Sequence, residues 1–411
     1  MHITYLSTSG HLGGAEAVLR EILRTLRDTQ PTWELDLVAP SDGELVRAAR
    51  ALGVRVAVVP FPTALARFGE RRSENGIGRG LGWSAFGQVP AAAVMGARYV
   101  ARLRHVLSLW QPEIVHANGI KMHLVARWAT PRDARLVWHI HDYLAARPMT
   151  SRLLSHTVGR CAAVVATSQS VTEDLRTVFG DRVEIATLHN AVDLDRFSPD
   201  GPAVDLDRLA GLAAPPAGVV RVGLIAVLAW WKGHRLFLEA IEKIARETAE
   251  REVSVRAYVI GGPLYQTEGS QRTLNDLRRL AAEMGLAHRV GFTGFLEDPA
   301  RAMRALDIVV HASTEPEPFG LVIAEAMACG RPVVASRSGG AAELITDDVD
   351  GVSFEPGSAD DLAGCITRLA KDPTRRIVLG CAARATAVRR FDSRRLAAQL
   401  VPFYERLRHK H

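Results

Sequence analysis

The sequence predicts an α/β fold made of two domains, each a doubly wound parallel sheet with helices on both faces. Three observations carry this. Short segments rich in Val, Ile and Leu alternate with segments of helical periodicity along the chain, the pattern of repeated βα units. The length, 411 residues, exceeds one ordinary domain and suits two. The alternation breaks in a stretch rich in Ala, Pro and Gly from Gly201 to Gly218, after which a new buried strand begins. The expected boundaries are a first domain over 1–190, a linker over 191–218 and a second domain over 219–390.

Composition narrows the class of partner. Hydrophobic and charged contents of 47% and 23% are those of a soluble globular protein. The net charge of +6 comes mostly from arginine and directs attention to phosphorylated substrates or an anionic membrane surface. No arginine cluster is interleaved with aromatics as a single-strand binder requires, so no nucleic acid partner is expected. Cys161, Cys329, Cys365 and Cys381 are scattered and form no CxxC pair, which argues against a zinc site or a disulfide framework and fits a reducing cytosol. The opening residues lack the basic and long apolar segments of a signal peptide, and no apolar run approaches the roughly 20 residues that span a bilayer. The expected location is cytoplasmic, with peripheral contact at the inner membrane face as an extension of that reading.

Taken in order, His2 to Ser7 reads as the first buried strand, followed by the glycine turn Gly10 to Gly14. Ala17, Val18, Ile22, Leu23 and Leu26 then recur at helical spacing over a helix from Ala15 to about Arg27. Strand, glycine turn and helix open a doubly wound sheet, whose ligands lie at the carboxyl ends of the strands. Gly13-Gly14 serves equally as a bare tight turn or as a place where a ligand meets the backbone. Further strands are expected at Leu35–Val38, Val54–Val59, Ile114–His116, Leu136–Ile140 and Ala163–Ala166. Arg67 to Gln88, rich in Arg and Gly and without periodicity, reads either as a mobile lid over an acceptor or as plain disorder. From Arg98 to Trp110, the residues Tyr99, Leu103, Val106 and Trp110 share a helical face. That stripe suits an anionic membrane surface or, more simply, the face of the sheet. Alternation along Leu136 to Tyr143 puts His139 and His141 on the same side, with His141 at the strand end beside Asp142. An imidazole there can hydrogen-bond substrate or move a proton. His139, inside the strand, reads as structural.

At the junction, Asp193-Leu194-Asp195 and Asp205-Leu206-Asp207 have the spacing of a metal-binding acid pair. In an Asp-rich segment they read as structural, and no metal or other cofactor is expected. Val219 to Leu228 begins the second sheet, with a helix from Leu236 onwards. Lys232, one of few lysines, sits in the turn between them, where an ammonium reaches a phosphate as a compact point charge. Strands follow at Ala257–Gly262, Val290–Gly294, Ile308–His311 and Pro332–Ala335, and a terminal helix is expected over Arg384–His411. The densest chemistry lies between His311 and Glu343. Glu317 stands between Pro316 and Pro318, Glu325 follows after seven intervening residues, and Gly339-Gly340 precede Glu343. A loop that opens a helix offers free N–H groups and the positive end of a dipole to a phosphate. Ionised carboxylates beside it suit sugar hydroxyls instead. Diphosphate beside hydroxyls describes a nucleotide sugar.

With these motifs in place, the chain resembles the retaining GT-B glycosyltransferases of family 4 (glycosyl transferases group 1), which include many bacterial cell-surface and polysaccharide enzymes. The resemblance spans nearly the whole chain. It rests on GGAE at Gly13, PEIVHAN at Pro112, His141-Asp142, TSQSVTEDL at Thr167, HNAVDLDRFSP at His189, Lys232-Gly233, VGFTG at Val290, and the E-x7-E run EPFGLVIAE from Glu317 to Glu325. EAMACGRPVVAS and GGAAEL follow that run. E-x7-E with its flanks is the specific element, and the others carry weight together.

The resemblance implies two Rossmann-like domains facing a cleft, the second holding a nucleotide-sugar donor, with a last helix, 391–411, completing the first. It implies transfer of a hexose, with retention and without a metal, to a hydroxyl of a glycan, lipid or small-molecule acceptor. A UDP-sugar is the favoured donor and GDP-mannose the other candidate. Glu325 would bind the ribose; Glu317 and the backbone of Phe319, Gly320, Leu321 and Val322 would hold the donor sugar and phosphates. Lys232 would neutralise the leaving diphosphate, Gly14 would admit donor phosphate or acceptor, and His141 would contact the donor sugar. Glu317, His141 and Lys232 are the catalytic set. The chain departs from the pattern at Val227, where the family often has an arginine paired with the lysine. That departure motivates a rival reading as a non-catalytic nucleotide-sugar binder; a nucleotide-sugar epimerase is a third, disfavoured by E-x7-E.

Overall fold

The computed structural model of the chain describes residues 1–62, 89–248, 254–263 and 272–409. Two compact units emerge, Met1–Ala191 with Ser393–His411, and Val192–Asp392.

The first unit contains β1 (His2–Ser7), β2 (Glu34–Ala39), β3 (Arg55–Val58), β4 (Ile114–Asn118), β5 (Arg135–Ile140), β6 (Cys161–Ala166) and β7 (Ile185–Thr187). They form a parallel sheet in the order β3-β2-β1-β4-β5-β6-β7. The order reverses between β1 and β4, which makes their carboxyl ends the topological switch point where such sheets bind ligands. Ser7 pairs with Asn118 and Asn118 with His139, so the ends of β1, β4 and β5 lie side by side. The helix Gly14–Thr29 buries Val18, Leu19, Ile22, Leu23 and Leu26 in the core on one face of this sheet. Full burial of each such side chain is worth roughly 1.5–3 kcal/mol.

Residues of the Arg98–Trp110 stripe also face inward. Tyr99 and Leu103 are buried in the core on the other face, with Val106 and Trp110 packed against it. The stripe covers the sheet, as the simpler of its two readings has it. The expectation for Arg67–Gln88 lies outside the described residues. Among the described residues no helix is long and apolar enough to cross a membrane.

The second unit contains β8 (Val220–Ile225), β9 (Val255–Ile260), β10 (Val290–Gly294), β11 (Ile308–His311), β12 (Val333–Ser336) and β13 (Val352–Phe354), in the order β10-β9-β8-β11-β12-β13. All its pairings are parallel, and its switch point falls between β8 and β11. The loops after these two strands therefore sit where a ligand is expected. Residues 192–218 cluster with this unit: Leu194, Phe197 and Leu206 are buried in its core.

One expectation needs correction, and two strands were missed. The terminal helix is two helices, Pro373–Arg390 and Arg394–His409. The break comes at Phe391, a fully buried side chain packed edge-on against Phe319 in the second unit. The second of these helices instead buries Leu396, Leu400, Phe403, Tyr404 and Leu407 in the first unit. Two strands, β7 and β13, were not anticipated, because three residues are too few to display a period of two.

Candidate functional site

The loop after β8 is a short 3-10 turn, Trp230–Lys232, closed by Gly233. Gly233 has φ +72°, and a Cβ there would stand 1.8 Å from the carbonyl oxygen of Ala312, next to the end of β11. Only glycine fits, and this close approach holds Lys232 against the β11 loop. From there the Lys232 ammonium donates to Glu317 Oε2 at 2.6 Å. Ser313 Oγ donates to the same oxygen at 2.9 Å, and His311 Nε2 lies 3.5 Å from it. Since the Ser313 proton goes to Glu317, the 3.2 Å contact between Ser313 Oγ and His311 Nε2 is donated by the imidazole. Burial by itself would raise the Glu317 carboxyl; the Lys232 ammonium first and His311 second override it and hold the group well below the usual carboxylate range. Glu317 is thus ionised and anchored, and an isolated parallel bridge to Gly339 fixes its backbone.

The chain then turns into the helix Leu321–Ala328. Gly320, at φ +91°, is its N-cap, and the amides of Leu321 and Val322 are turned to no backbone carbonyl among the described residues. Phe319 is buried in the core, so only its backbone faces the loop region. Glu325 lies one turn into the same helix and is half-buried. One switch point therefore gathers a cation, an ionised carboxylate, a helix N-terminus with unused donors, and a second carboxylate. Such a set accommodates phosphate and hydroxyls together.

In the first unit, Gly14 begins its helix without a positive φ, and a Cβ added to it would meet nothing within 4 Å. Gly10 differs, since a Cβ there would run into Ser41 O at 1.9 Å. Packing explains Gly10 but not Gly14, which stands exposed at the start of its helix. His141 is half-buried at the end of β5, and its Nε2 lies 2.6 Å from Asn118 Oδ1. The Asn118 amide also reaches Ala15 O at 3.4 Å, which ties the glycine turn to the histidine. His139 and His141 do share a side, with ring centroids 4.1 Å apart. His139 is fully buried and continues inward to His116, whose Nδ1 is 2.7 Å from the Tyr404 hydroxyl. Burial, assisted by neighbouring imidazoles, pushes His116 and His141 down to about 3 and His139 well below its ordinary value. These rings are neutral at pH 7.

The acid pairs of the junction have structural partners. Asp193 accepts from the amides of Asp195 and Arg196, Asp205 caps the helix Leu206–Ala210, and Asp207 is held by Arg221, Arg256 and the Tyr258 hydroxyl. Among the described residues no cluster of His, Cys, Asp or Glu is arranged to hold a metal ion.

Four participants were not singled out from the sequence. His311 and Ser313 join Glu317 only because the loop curls back on itself. Asn118 reaches His141 only through strand pairing. Arg272 donates its amide to Leu228 O, beside Val227, and its charge, with that of Lys232, adds to burial in holding His234 down to about 4. A lone Arg carries no signal in sequence; Asn118, at a strand end and before a glycine, carried one in the HAN of Pro112–Asn118.

The profile of the glycosyl transferases group 1 matches residues 219–372, and that of glycosyltransferase family 4 matches residues 43–196. A D-inositol 3-phosphate glycosyltransferase of Xylanimonas cellulosilytica is 34% identical over 250 residues, 59% of this chain and 56% of the relative's length. A GDP-mannose-dependent alpha-(1-6)-phosphatidylinositol monomannoside mannosyltransferase of Mycobacterium tuberculosis is 31% identical over 279 residues, 64% of this chain and 67% of the relative. Among solved structures, Anabaena Alr3699/HepE in complex with UDP-glucose is similar over 99% of this chain and 100% of that one, with a TM-score of 0.78 and 26% identity. Sucrose-phosphate synthase from Thermosynechococcus elongatus has a TM-score of 0.77 at 20% identity over 99% of each chain, a likeness of fold alone.

Proposed function

This chain belongs to the group 1, family 4 glycosyltransferases, and we propose that it transfers a hexose from a nucleoside diphosphate sugar to a hydroxyl of a glycan, lipid-linked or small-molecule acceptor. The transfer proceeds with retention and without a metal. The observation that carries this is the meeting of Lys232 and Glu317 at the β8–β11 switch point, beside the N-terminus of the helix that bears Glu325. In this reading the Lys232 ammonium and the amides of Leu321 and Val322 take the diphosphate, whose negative charge grows as the sugar departs. Glu317 orients the sugar, Glu325 takes the ribose hydroxyls, and Arg272 supplies the second cation that Val227 does not. Within the first unit, Gly14 leaves room beside the helix start and His141 offers a hydrogen bond to substrate.

A UDP-sugar is the favoured donor, because the likeness to the UDP-glucose complex extends along the chain. GDP-mannose is the competitor suggested by the mannosyltransferase relative. Val227 supports a second reading, a binder that holds nucleotide sugar without turning it over. Nucleotide release from a panel of UDP- and GDP-sugars, with mixed acceptors, separates the two. Release from one donor is expected. Tight binding without release, with every acceptor tried, would leave the binding reading in its place.

A further inference from the structure

We propose that Asn118 is a positioning residue that locks His141 in its Nε2–H tautomer, so that Nδ1 is presented as a hydrogen-bond acceptor for a substrate hydroxyl. The argument starts from the Asn118 amide, which is buried at the end of β4 and has two neighbours of opposite demand. Ala15 O, at 3.4 Å, is a carbonyl and can only accept. Turning Oδ1 toward it would set two acceptors face to face, so Nδ2 points there and Oδ1 points to His141. Oδ1 can only accept, and it lies 2.6 Å from His141 Nε2. That nitrogen must therefore carry the proton.

What remains on the ring follows from proton count. A neutral imidazole has one donor and one acceptor, so with the proton on Nε2 the lone pair is on Nδ1. Burial and the nearby His123 keep the ring neutral. Nδ1 has no hydrogen-bond partner among the described residues, and it is not sealed from solvent as both nitrogens of His139 are. His141 thus offers an acceptor and no free donor. Asn118 sets this from the strand next to the switch point, and through Ala15 it couples the setting to the helix that begins at Gly14.

The consequence is a rule for substrate. The group that meets His141 must bring its own proton, as a hydroxyl does, whereas a bare phosphate oxygen or a carbonyl would face a lone pair. The acceptor role rests on the reading that His141 touches substrate; the tautomer does not.

The test reads the two separately. In the full chain labelled with 15N-histidine, long-range 1H–15N correlation at pH 7 reports the state of each ring nitrogen, and loss of one signal set in His141→Gln assigns the residue. Nε2 is expected as the protonated nitrogen and Nδ1 as the bare one; the opposite tautomer, or an imidazolium, overturns the proposal. Asn118→Leu is expected to mix the tautomers and lower kcat/KM for nucleotide release about tenfold, the loss of one hydrogen bond. A folded Asn118→Leu chain with an unchanged single tautomer overturns the role of Asn118. Asn118→Asp keeps an acceptor opposite Nε2 and adds a charge. It should preserve the tautomer and raise the protonation midpoint of His141, among the uncharged rings of His116, His123 and His139, by about one pH unit or more. An unmoved midpoint overturns the contact even where the leucine variant does not fold. If the spectra stand and no donor is turned over, the tautomer assignment survives and the glycosyltransfer reading is the one that fails.

Discussion

At the scale of single residues, Lys232 and Glu317 act as one group. Removing the ammonium by Lys232→Ala deprives a partly buried carboxylate of its nearest counter-charge and, in the proposed function, the diphosphate of its leaving-group contact. One charge-assisted hydrogen bond of this kind is worth about 1.5–3 kcal/mol, so kcat is expected to fall about 10- to 100-fold. A wild-type rate in a nucleotide-release assay would refute the assignment. Glu325 is different in kind, since ribose hydroxyls are equally present in ground and transition states. Glu325→Ala should weaken donor binding about tenfold or more by calorimetry while changing kcat little; unchanged affinity would sink the ribose role. The sequence showed both glutamates and the lysine, since their types and their loop or helix context are local. It did not show that Ser313 and His311 share Glu317 with Lys232, because that convergence depends on a loop folding back at the end of β11.

At the scale of elements, two glycines in strand-to-helix turns carry opposite predictions. Gly233→Ala forces a methyl group to within 1.8 Å of the Ala312 carbonyl oxygen in a left-handed conformation. The turn must move and carry Lys232 away from Glu317, so both the melting temperature and turnover should drop. Gly14→Ala meets open space at a helical position, where alanine is the better helix former by about 1 kcal/mol. Its melting temperature is expected to stay level or rise while KM increases. A Gly14→Ala enzyme with wild-type kinetics would return Gly14 to the bare-turn reading. Elements themselves were legible where they were long. The helix Gly14–Thr29 declares itself by apolar spacing, whereas the three-residue β7 and β13 owe their existence to partners already in place.

At the scale of the whole molecule, the imidazoles held below their ordinary value predict acid sensitivity. His116 and His141 lie at about 3 and His123 at about 4 in the folded chain, below the ordinary value of 6.5. Between these limits the unfolded chain binds more protons, so stability is complete above pH 6.5 and declines as the pH falls. Each ring contributes at most about 1.4 kcal/mol per pH unit in that window. Glu317, held well below 4.5, adds a further loss only below that value. Urea midpoints measured from neutral pH downward should fall, and hydrogen exchange should quicken in β4 and β5, which carry these rings or pack against them. Midpoints independent of pH across this range would show that the rings protonate without unfolding.

The sequence by itself determined the class of fold, because the alternation of apolar strand and amphipathic helix is a local, periodic property. It also held the residues of the proposed donor site, because Lys232, Glu317 and Glu325 stand in turns and helix starts recognisable from their own neighbours. Tertiary structure decided what pairing and close approach create. It decided that Lys232 is spoken for by Glu317, that Phe391 ends one helix so that Arg394–His409 serves a different core, and that Asn118 meets His141. Residues 116 and 139 are remote in sequence yet their rings meet edge-on in space, and no reading of a single strand contains the strand beside it.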